Sequence, residues 1–303
     1  IVMAQYTFDT LKDLELAGIS LPSGYTKLNY IENQGNASTY IDTNYVANAN
    51  TTLRALVSIN TTGMSSMGYI GTYRYSFGLM GSRLRCCVNT SYYDYLVNTS
   101  IGQKRLVEID NITKSVSLDG SVIGTLATIS YPIGGTYWIG RLNNYNGEYF
   151  NGKIYCHEFL ENGVSVQKLI PCEDGNGNIG TYDIVTNTFF ANQGTNPFIS
   201  GGEAQTPTYQ DGDVVTITDV GITLTYTNGN LYFSTNESLT LSQFNTLCSI
   251  CKGTNGVVVT ITDLNNLQVT SNGTDWLITA DTTLATLSQF NTLCSICKGT
   301  NGV

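Results

Sequence analysis

Residues 152–201 read GKIYCHEFLENGVSVQKLIPCEDGNGNIGTYDIVTNTFFANQGTNPFISG, and this stretch decides the fold. Asn162-Gly163 is a two-residue hairpin signal, because both central positions of the favoured turn need a positive φ. The stretch therefore predicts a strand, a hairpin, a second strand, a polar turn and then a Tyr-Asp-Ile-Val strand. It closes on the aromatic pair Phe189-Phe190 and a glycine-rich exit.

The same organisation extends over residues 21–203. Leu53, Ala55, Val57 and Ile59 alternate with polar residues, and Asp119-Gly120 is a second hairpin signal. Short strands separated by turn residues are typical of all-β sandwiches. We therefore predict a mainly β protein in which residues 21–203 form two facing sheets.

Several motifs of this segment carry a resemblance to a known family. They are the "GKIY" strand, the Pro171-Cys172 pair, "G-x-YD-x-VTN-x-FF", the ending "NQGTNPFISG" and the opening "LPSGYTKLNYIENQGNASTYIDTNY". In this order they resemble concanavalin A-like (LamG-type) jelly-roll domains of bacteriophage virion proteins and gut bacterial surface proteins. The resemblance implies a jelly-roll β-sandwich whose usual work is adhesion rather than chemistry.

Residues 1–20 precede the sandwich and are predicted to form an N-terminal arm with one short helix. Asp9 is a suitable N-cap, Leu11, Leu14 and Leu16 supply apolar contacts, and Gly18 is a natural stop. Such an arm often docks on a neighbouring subunit.

Residues 204–303 have a different character, because a Gln-Thr-Pro linker leads into a tandem duplication. "VVTITD" begins at Val214 and again at Val258, and "LSQFNTLCSICKGTNGV" begins at Leu241 and again at Leu287 without a difference. We predict two small β-plus-helix repeats, with the linker and first repeat at 204–257 and the second repeat at 258–303.

The repeated segment contains a predicted helix with Ser242 and Ser288 as N-caps and Gly253 and Gly299 as stops. Four residues of each copy share one apolar face: Phe244, Leu247, Cys248 and Cys251 in the first, and Phe290, Leu293, Cys294 and Cys297 in the second. Three interpretations of the cysteines stay open. They are apolar core thiols, ligands of a tetrathiolate zinc site, or disulfide partners.

The sandwich segment has four further cysteines: Cys86, Cys87, Cys156 and Cys172. No secretory signal precedes them, so free thiols are expected if the chain folds in a cytosol. A Cys156–Cys172 disulfide would require an oxidising compartment.

The composition argues against two classes of partner. Charged residues are 12% of the chain, the formal net charge is −9, and the 14 Lys and Arg residues form no cluster. We therefore expect no nucleic acid partner. No segment approaches the roughly 20 apolar residues that span a bilayer, so we expect no membrane span.

Catalytic residues are poorly represented. The chain has one histidine, His157, which we expect to be a surface or hydrogen-bonded strand residue. Glu108-Ile109-Asp110 is similar to the start of the Glu-x-Asp-x-x-Glu strand of jelly-roll glucanases, but the third acidic position is absent. Asp174–Asn178 could begin a calcium loop or form a tight turn. We predict no catalytic residues, no metal site and no cofactor.

A binding surface is the more plausible functional feature. The segment "RLNNYNGEYFNG" places Asn143, Asn144, Tyr145 and Tyr149 between two strands. Tyrosine can stack on the face of a sugar while asparagine binds its hydroxyls. These four residues are the predicted glycan-binding residues. Trp138, in contrast, is expected to pack between the sheets or at a subunit contact.

The leading hypothesis is a non-enzymatic structural and adhesive virion protein, a phage fibre or decoration protein, that displays its jelly-roll domain and binds host-surface glycans. We expect a homo-oligomer, a trimer by analogy, in contact with other virion proteins and located on a virion or an extracellular surface. One alternative is a glycan-binding module of a bacterial surface adhesin. Another is a glycoside-active enzyme that depends on Glu108.

Overall fold

The computed structural model describes residues 3–71, 74–127, 134–143, 147–278 and 287–299. The chain is mainly β, as predicted from the sequence, and it divides into two compact units. One unit comprises Ser20–Ala204, and the other comprises Ile1–Ile19 together with Gln205–Val303. Within the described ranges, no helix is long and apolar enough to cross a membrane.

The second of these units begins with strand β1 (Gln5–Phe8) and helix α1 (Leu11–Ala17). The Ser20–Ala204 unit follows, and its strands are β2 (Tyr25–Lys27), β3 (Ile31–Gln34), β4 (Ile41–Asp42), β5 (Thr51–Ile59), β6 (Ser65–Tyr69), β7 (Arg74–Leu79), β8 (Arg83–Asn89), β9 (Ser91–Leu96), β10 (Arg105–Asp110), β11 (Ser115–Leu118), β12 (Ser121–Thr125), β13 (Trp138–Ile139), β14 (Leu142–Asn143), β15 (Asn151–Glu161), β16 (Val164–Asp174), β17 (Ile179–Asp183), β18 (Thr188–Ala191) and β19 (Ile199–Ser200).

The Ser20–Ala204 unit is a β-sandwich. Its larger sheet has the order β12-β11-β10-β5-β15-β16-β17-β18, with β3 also paired to β15 and β19, and β2 to β16. A smaller sheet has the order β14-β6-β7-β8-β9, and β13 pairs with β4. The core shared by the two sheets includes Leu53, Val57, Phe77, Phe150 and Phe159.

Strand β5 lies at the centre of the larger sheet. Leu53, Ala55, Val57 and Ile59, the residues whose alternation predicted a strand, are all fully buried. Strand β15 runs antiparallel beside it from Gly152, opposite Ile59, to Glu161, opposite Thr51. The "GKIY" motif therefore forms the start of a central strand.

Both predicted hairpins are confirmed. Asp119 and Gly120 have φ of 53° and 79° between β11 and β12, and Asn162 and Gly163 have φ of 51° and 80° between β15 and β16. Positive φ at both central positions matches the right-handed twist of the flanking strands, which is why these residue pairs fix the hairpins.

The "G-x-YD-x-VTN" motif also has a physical explanation. A Cβ on Gly180 would lie 2.3 Å from the carbonyl oxygen of Phe190, so this close approach of β17 and β18 requires glycine. Asp183 is fully buried, and its carboxylate accepts hydrogen bonds from the Lys168 and Val185 amides and from the Thr186 hydroxyl. These bonds hold the turn between β17 and β18.

The remaining elements complete the repeat unit formed by residues 1–19 and 205–303. They are β20 (Val214–Ile217), β21 (Ile222–Thr227), β22 (Asn230–Phe233), β23 (Glu237–Leu239), α2 (Leu241–Ile250), β24 (Cys251–Gly253), β25 (Val258–Ile261), β26 (Leu267–Ser271), β27 (Trp276–Ile278), α3 (Leu287–Ile296) and β28 (Cys297–Gly299).

The two sheets of the repeat unit have the same topology. One has the order β1-β20-β21-β22-β24 and the other β23-β25-β26-β27-β28, with parallel pairing at both outer strands. Gln5–Phe8 is thus the first strand of the first sheet, and α1 corresponds to α2. The segment predicted as an arm is the beginning of a repeat, into which the sandwich is inserted.

The helix boundaries differ from those predicted. Thr10 and Thr240, rather than Asp9 and Ser242, are the N-caps, and both form capping boxes, with Asp13 and Gln243 respectively. In a capping box the N-cap side chain and the side chain three residues later each accept a hydrogen bond from the other residue's backbone amide. A threonine three residues before an Asp or Gln is therefore the favoured N-cap. Gly253 does not stop α2, because the helix ends at Ile250 and Cys251–Gly253 pairs with β22 as a strand.

The capping geometry gives a direct test. Thr240→Ala removes the hydroxyl that accepts a hydrogen bond from the Gln243 backbone amide. The substitution should lower the free energy of unfolding of the repeat unit by about 1 kcal/mol. Ser242→Ala serves as the matched control and should change it by less than half as much. Urea denaturation followed by circular dichroism provides the measurement. A larger loss for Ser242→Ala than for Thr240→Ala would place the N-cap at Ser242.

Candidate functional site

The loop predicted from the sequence to bind glycans is only partly described. Asn144 and Tyr145 lie outside the described residues. Asn143 belongs to β14, and its side-chain amide donates to the Thr136 carbonyl at 2.8 Å, so this group supports the backbone. The ring of Tyr149 is about a third exposed and lies against Gly35.

Trp138 is not part of the core between the sheets, contrary to one of the expectations for it. It is half-buried and stacks on Tyr40, with ring centroids 4.2 Å apart and an interplanar angle of 16°. The Arg141 guanidinium lies 5.4 Å from the Tyr40 ring centroid and 5.5 Å from that of Trp138. Arg141 also donates to the Ala37 carbonyl at 2.7 Å, which ties this cluster to the backbone.

His157 is a core residue and not a surface residue. It is fully buried, and the centroid of its ring lies 6.3 Å from that of Phe77 and 5.8 Å from that of Tyr137. Burial lowers the pKa of His157 to about 3, because the apolar surroundings disfavour the charged imidazolium. The imidazole is therefore neutral at physiological pH and is inaccessible to a substrate.

The acidic residues that resemble part of a glucanase motif have structural partners. Glu108 forms an ion pair with Arg54 across the β5–β10 pairing, with 2.5 Å between Arg54 Nε and Glu108 Oε2. Asp110 accepts hydrogen bonds from the hydroxyls of Thr52 and Thr113. This geometry stabilises the sheet and its edge turn.

Asp174–Asn178 forms a tight turn. One carboxylate oxygen of Asp174 accepts from the Asn176 and Asn178 backbone amides, both at 2.9 Å, and the other accepts from the Asn178 side chain at 2.8 Å. These hydrogen bonds, chiefly those from Asn178, lower the pKa of Asp174. The carboxylate is thus engaged within its own turn.

All eight cysteines are free thiols in the structure. Across the described ranges, no group of three His, Cys, Asp or Glu side chains is placed to hold a metal ion. Burial raises the pKa of Cys87 to about 11 and that of Cys172 to about 12. These groups are therefore protonated and unreactive at neutral pH.

The sandwich contains a pocket that the sequence did not indicate, with a volume of about 460 Å³. Three segments that are distant in sequence form its walls: the loop after β4, the β15–β16 hairpin, and β18 with the turn before it. The lining residues are Thr43, Asn44, Tyr45, Glu161, Val166, Gln167, Thr186, Thr188 and Phe190. The pocket is an open depression in the surface, and its volume lies within the range of small-molecule sites in proteins.

The polar groups at one end of this pocket form a network around Glu161. One carboxylate oxygen accepts from the Asn48 side-chain amide at 2.8 Å and from the Tyr45 hydroxyl at 3.1 Å. The Tyr45 hydroxyl also lies 2.7 Å from the Thr51 hydroxyl, and its ring stacks on Phe159. Tyr45 and Glu161 are therefore held in fixed orientations before any ligand binds.

Gln167 forms part of the pocket wall and is 7% exposed. Its Nε2 donates to the Thr43 carbonyl at 3.0 Å, and this bond fixes the plane of the amide. Its Oε1 is buried and has no hydrogen-bond partner in the structure. A buried acceptor without a partner costs about 1–3 kcal/mol, which destabilises this wall of the pocket.

The sequence could not have revealed this pocket from spacing. Its members are single residues, mostly polar or aromatic, in three segments, and only the sheet order brings these segments together. The one local indication is the density of Thr and Asn around residues 43–44 and 186–188. That density is shared by much of the chain and therefore does not distinguish a site.

The sequence matches no family model and no curated protein. Among the solved structures that match is one described as "a putative carbohydrate binding protein from Bacteroides ovatus ATCC 8483", with 12% identity and a TM-score of 0.43. The alignment covers 61% of this chain, and the chain spans about three fifths of that protein's length, 62%.

The buried imidazole predicts acid sensitivity of the sandwich. The pKa of His157 is about 3 in the folded state and near 6.5 when unfolded, so the unfolded chain binds the extra proton between these values. Stability should fall as the pH drops below 6.5, by up to about 1.4 kcal/mol per pH unit. His157→Gln, which does not titrate, should show a smaller fall.

The measurement is thermal unfolding between pH 7 and pH 4. The chain has two tryptophans, and a Trp276→Phe background leaves Trp138 as the fluorescent reporter of the sandwich. If the stability of the protein and that of its His157→Gln variant fell equally with falling pH, His157 would not be buried in the neutral form.

Proposed function

We propose that the protein is a non-enzymatic glycan-binding protein whose sandwich holds a sugar in the pocket between Tyr45, Glu161 and Gln167. The observation that carries the proposal is the Glu161 carboxylate, an acceptor that Asn48 and Tyr45 hold in a fixed orientation in the wall of this pocket. A sugar presents many hydroxyl donors and so fits an acceptor of this kind.

The pocket as a whole suits a sugar ligand. Glu161 has further lone pairs beyond those used by Tyr45 and Asn48, and these can accept from a second hydroxyl. Tyr45 and Phe190 supply aromatic surface for the apolar face of a sugar ring. Asn44 and Thr188 are exposed at the pocket and supply further donors and acceptors.

The chemistry of the pocket favours binding over hydrolysis. Glycoside hydrolysis requires a pair of carboxyl groups. The described residues that line the pocket include one acidic residue, Glu161. Glu108 and Asp110 are occupied by Arg54, Thr52 and Thr113, as described above. An adhesive domain usually holds its ligand without changing it chemically, which agrees with binding alone.

The finer proposal concerns where the protein works. The resemblance of residues 21–203 to jelly-roll domains of phage virions supports a fibre or decoration protein displayed on a virion. In that setting it would be a homo-oligomer, a trimer by analogy, bound to other virion proteins. The alternative is a glycan-binding module of a bacterial surface adhesin. Immunogold electron microscopy separates them by labelling either virus particles or cell surfaces.

Glycan binding can be tested on an array of bacterial surface polysaccharides, followed by titration calorimetry with the best ligand. Glu161→Gln keeps the side-chain shape but removes the charge, and we expect it to weaken binding about tenfold. Thr188→Ala should weaken it a few-fold.

Two control variants locate the site. Thr26→Ala changes an exposed strand residue of the same sandwich on β2, which pairs with the opposite end of β16, and it should not affect affinity. Tyr149→Ala should also leave affinity unchanged. A loss on Tyr149→Ala with none on Thr188→Ala would move the site to the Asn143–Tyr149 loop, and no bound glycan at all would refute the proposal.

A further inference from the structure

Helices α2 and α3 have the same ten-residue sequence but different surroundings. Phe244 of α2 is fully buried, whereas Phe290, the same residue of α3, is 54% exposed. Sequence cannot cause this difference, so it must come from what packs against each helix.

The residue that covers Phe244 is Trp276. Their ring centroids are 5.0 Å apart with an interplanar angle of 85°, an edge-to-face contact. Trp276 begins β27, the last strand of the three-stranded meander β25–β27 that follows α2. The meander is anchored beside the helix because its first strand, β25, pairs in parallel with β23, which precedes α2.

Helix α1 has a buried residue at the equivalent position. Leu14 lies four residues after the N-cap Thr10, as Phe244 lies four residues after Thr240, and it is 3% exposed. It belongs to the same core as residues of the meander β20–β22, among them Leu231, which occupies the position of Trp276. In both cases the buried helix residue shares a core with the meander whose first strand pairs with the strand before that helix.

Helix α3 has one covered and one uncovered side. Leu293 and Cys297 are buried in the repeat unit, at 1% and 7% exposure. Phe290 and Cys294 are exposed and lie one turn apart, so they share a face. Phe290 thus occupies the position at which Leu14 of α1 and Phe244 of α2 are buried.

We propose that the Phe290–Cys294 face of α3 is a docking surface for a three-stranded β-meander carried by a partner polypeptide. The partner meander would present β-branched and leucine residues inward, as Val259, Ile261 and Val269 do, and a large aromatic residue at the position of Trp276. Within the described ranges, the meanders β20–β22 and β25–β27 already share a core with α1 and α2, so a second copy would offer neither of them. The surface serves assembly and is independent of glycan binding.

The repeat supplies its own probe. Residues 297–303 repeat residues 251–257, so appending a second copy of residues 258–278 after Val303 recreates the sequence that follows α2. In the extended protein, we expect amide exchange in α3 to slow at least about tenfold and the melting temperature of the repeat unit to rise by several degrees. The control carries Trp276→Ala within the appended copy and should lose most of both effects.

Two results would overturn the proposal. One is an extended protein whose α3 exchange and melting temperature match those of the original chain. The other is self-association of the original chain in sedimentation velocity that Phe290→Ser abolishes, which would make a second copy the occupant of this face.

A paired measurement does not depend on folding of the extension. Phe244→Ala should strongly lower the melting temperature of the unextended protein, whereas Phe290→Ala should leave it nearly unchanged. Equal losses in the two variants would mean that the α3 face is already covered, and the proposal would be wrong.

Discussion

The antiparallel pairing of β5 with β15 is the interaction on which the sandwich and its pocket depend. It joins the two central strands of the larger sheet over the full length of β5. Its last pair, Thr51 opposite Glu161, reaches the pocket, where the Tyr45 hydroxyl bonds to both side chains. The position of Glu161 in the pocket is thus set by the hydrogen-bonded register of β5 and β15. A shift of one residue in this register would move Glu161 to the opposite face of the sheet.

Local signals in the sequence predicted the fold well. The hairpins at Asp119-Gly120 and Asn162-Gly163 and the buried alternation in β5 are encoded in adjacent residues, and the structure has them all. Helix ends were less predictable, because Ser242 and Thr240 are both good caps and the reciprocal bond with Gln243 decides between them. Gly253 looked like a helix stop, but pairing with β22 made it part of a strand.

Long-range features could not be predicted. Gln5–Phe8 pairs with Val214–Ile217, and a separation of about two hundred residues leaves no local trace of this contact. The pocket likewise combines Thr43, Glu161 and Phe190 through sheet order alone. His157 is a polar residue on a strand, and only the three-dimensional structure shows that it is buried between aromatic rings. The identical helices α2 and α3 make the same point, since partners and not sequence determine whether Phe244 or Phe290 is buried.

The central claim is that a sugar binds in the pocket between Tyr45, Glu161 and Gln167. The most direct measurement is the nitrogen–proton NMR signal of the Gln167 side-chain amide during titration with an array-selected glycan, assigned by its loss in Gln167→Met. The account predicts a saturable shift of this signal, accompanied by shifts of Asn44 and Thr188. An unchanged Gln167 signal under saturating glycan, with shifts confined to Asn143 and Tyr149, would contradict it.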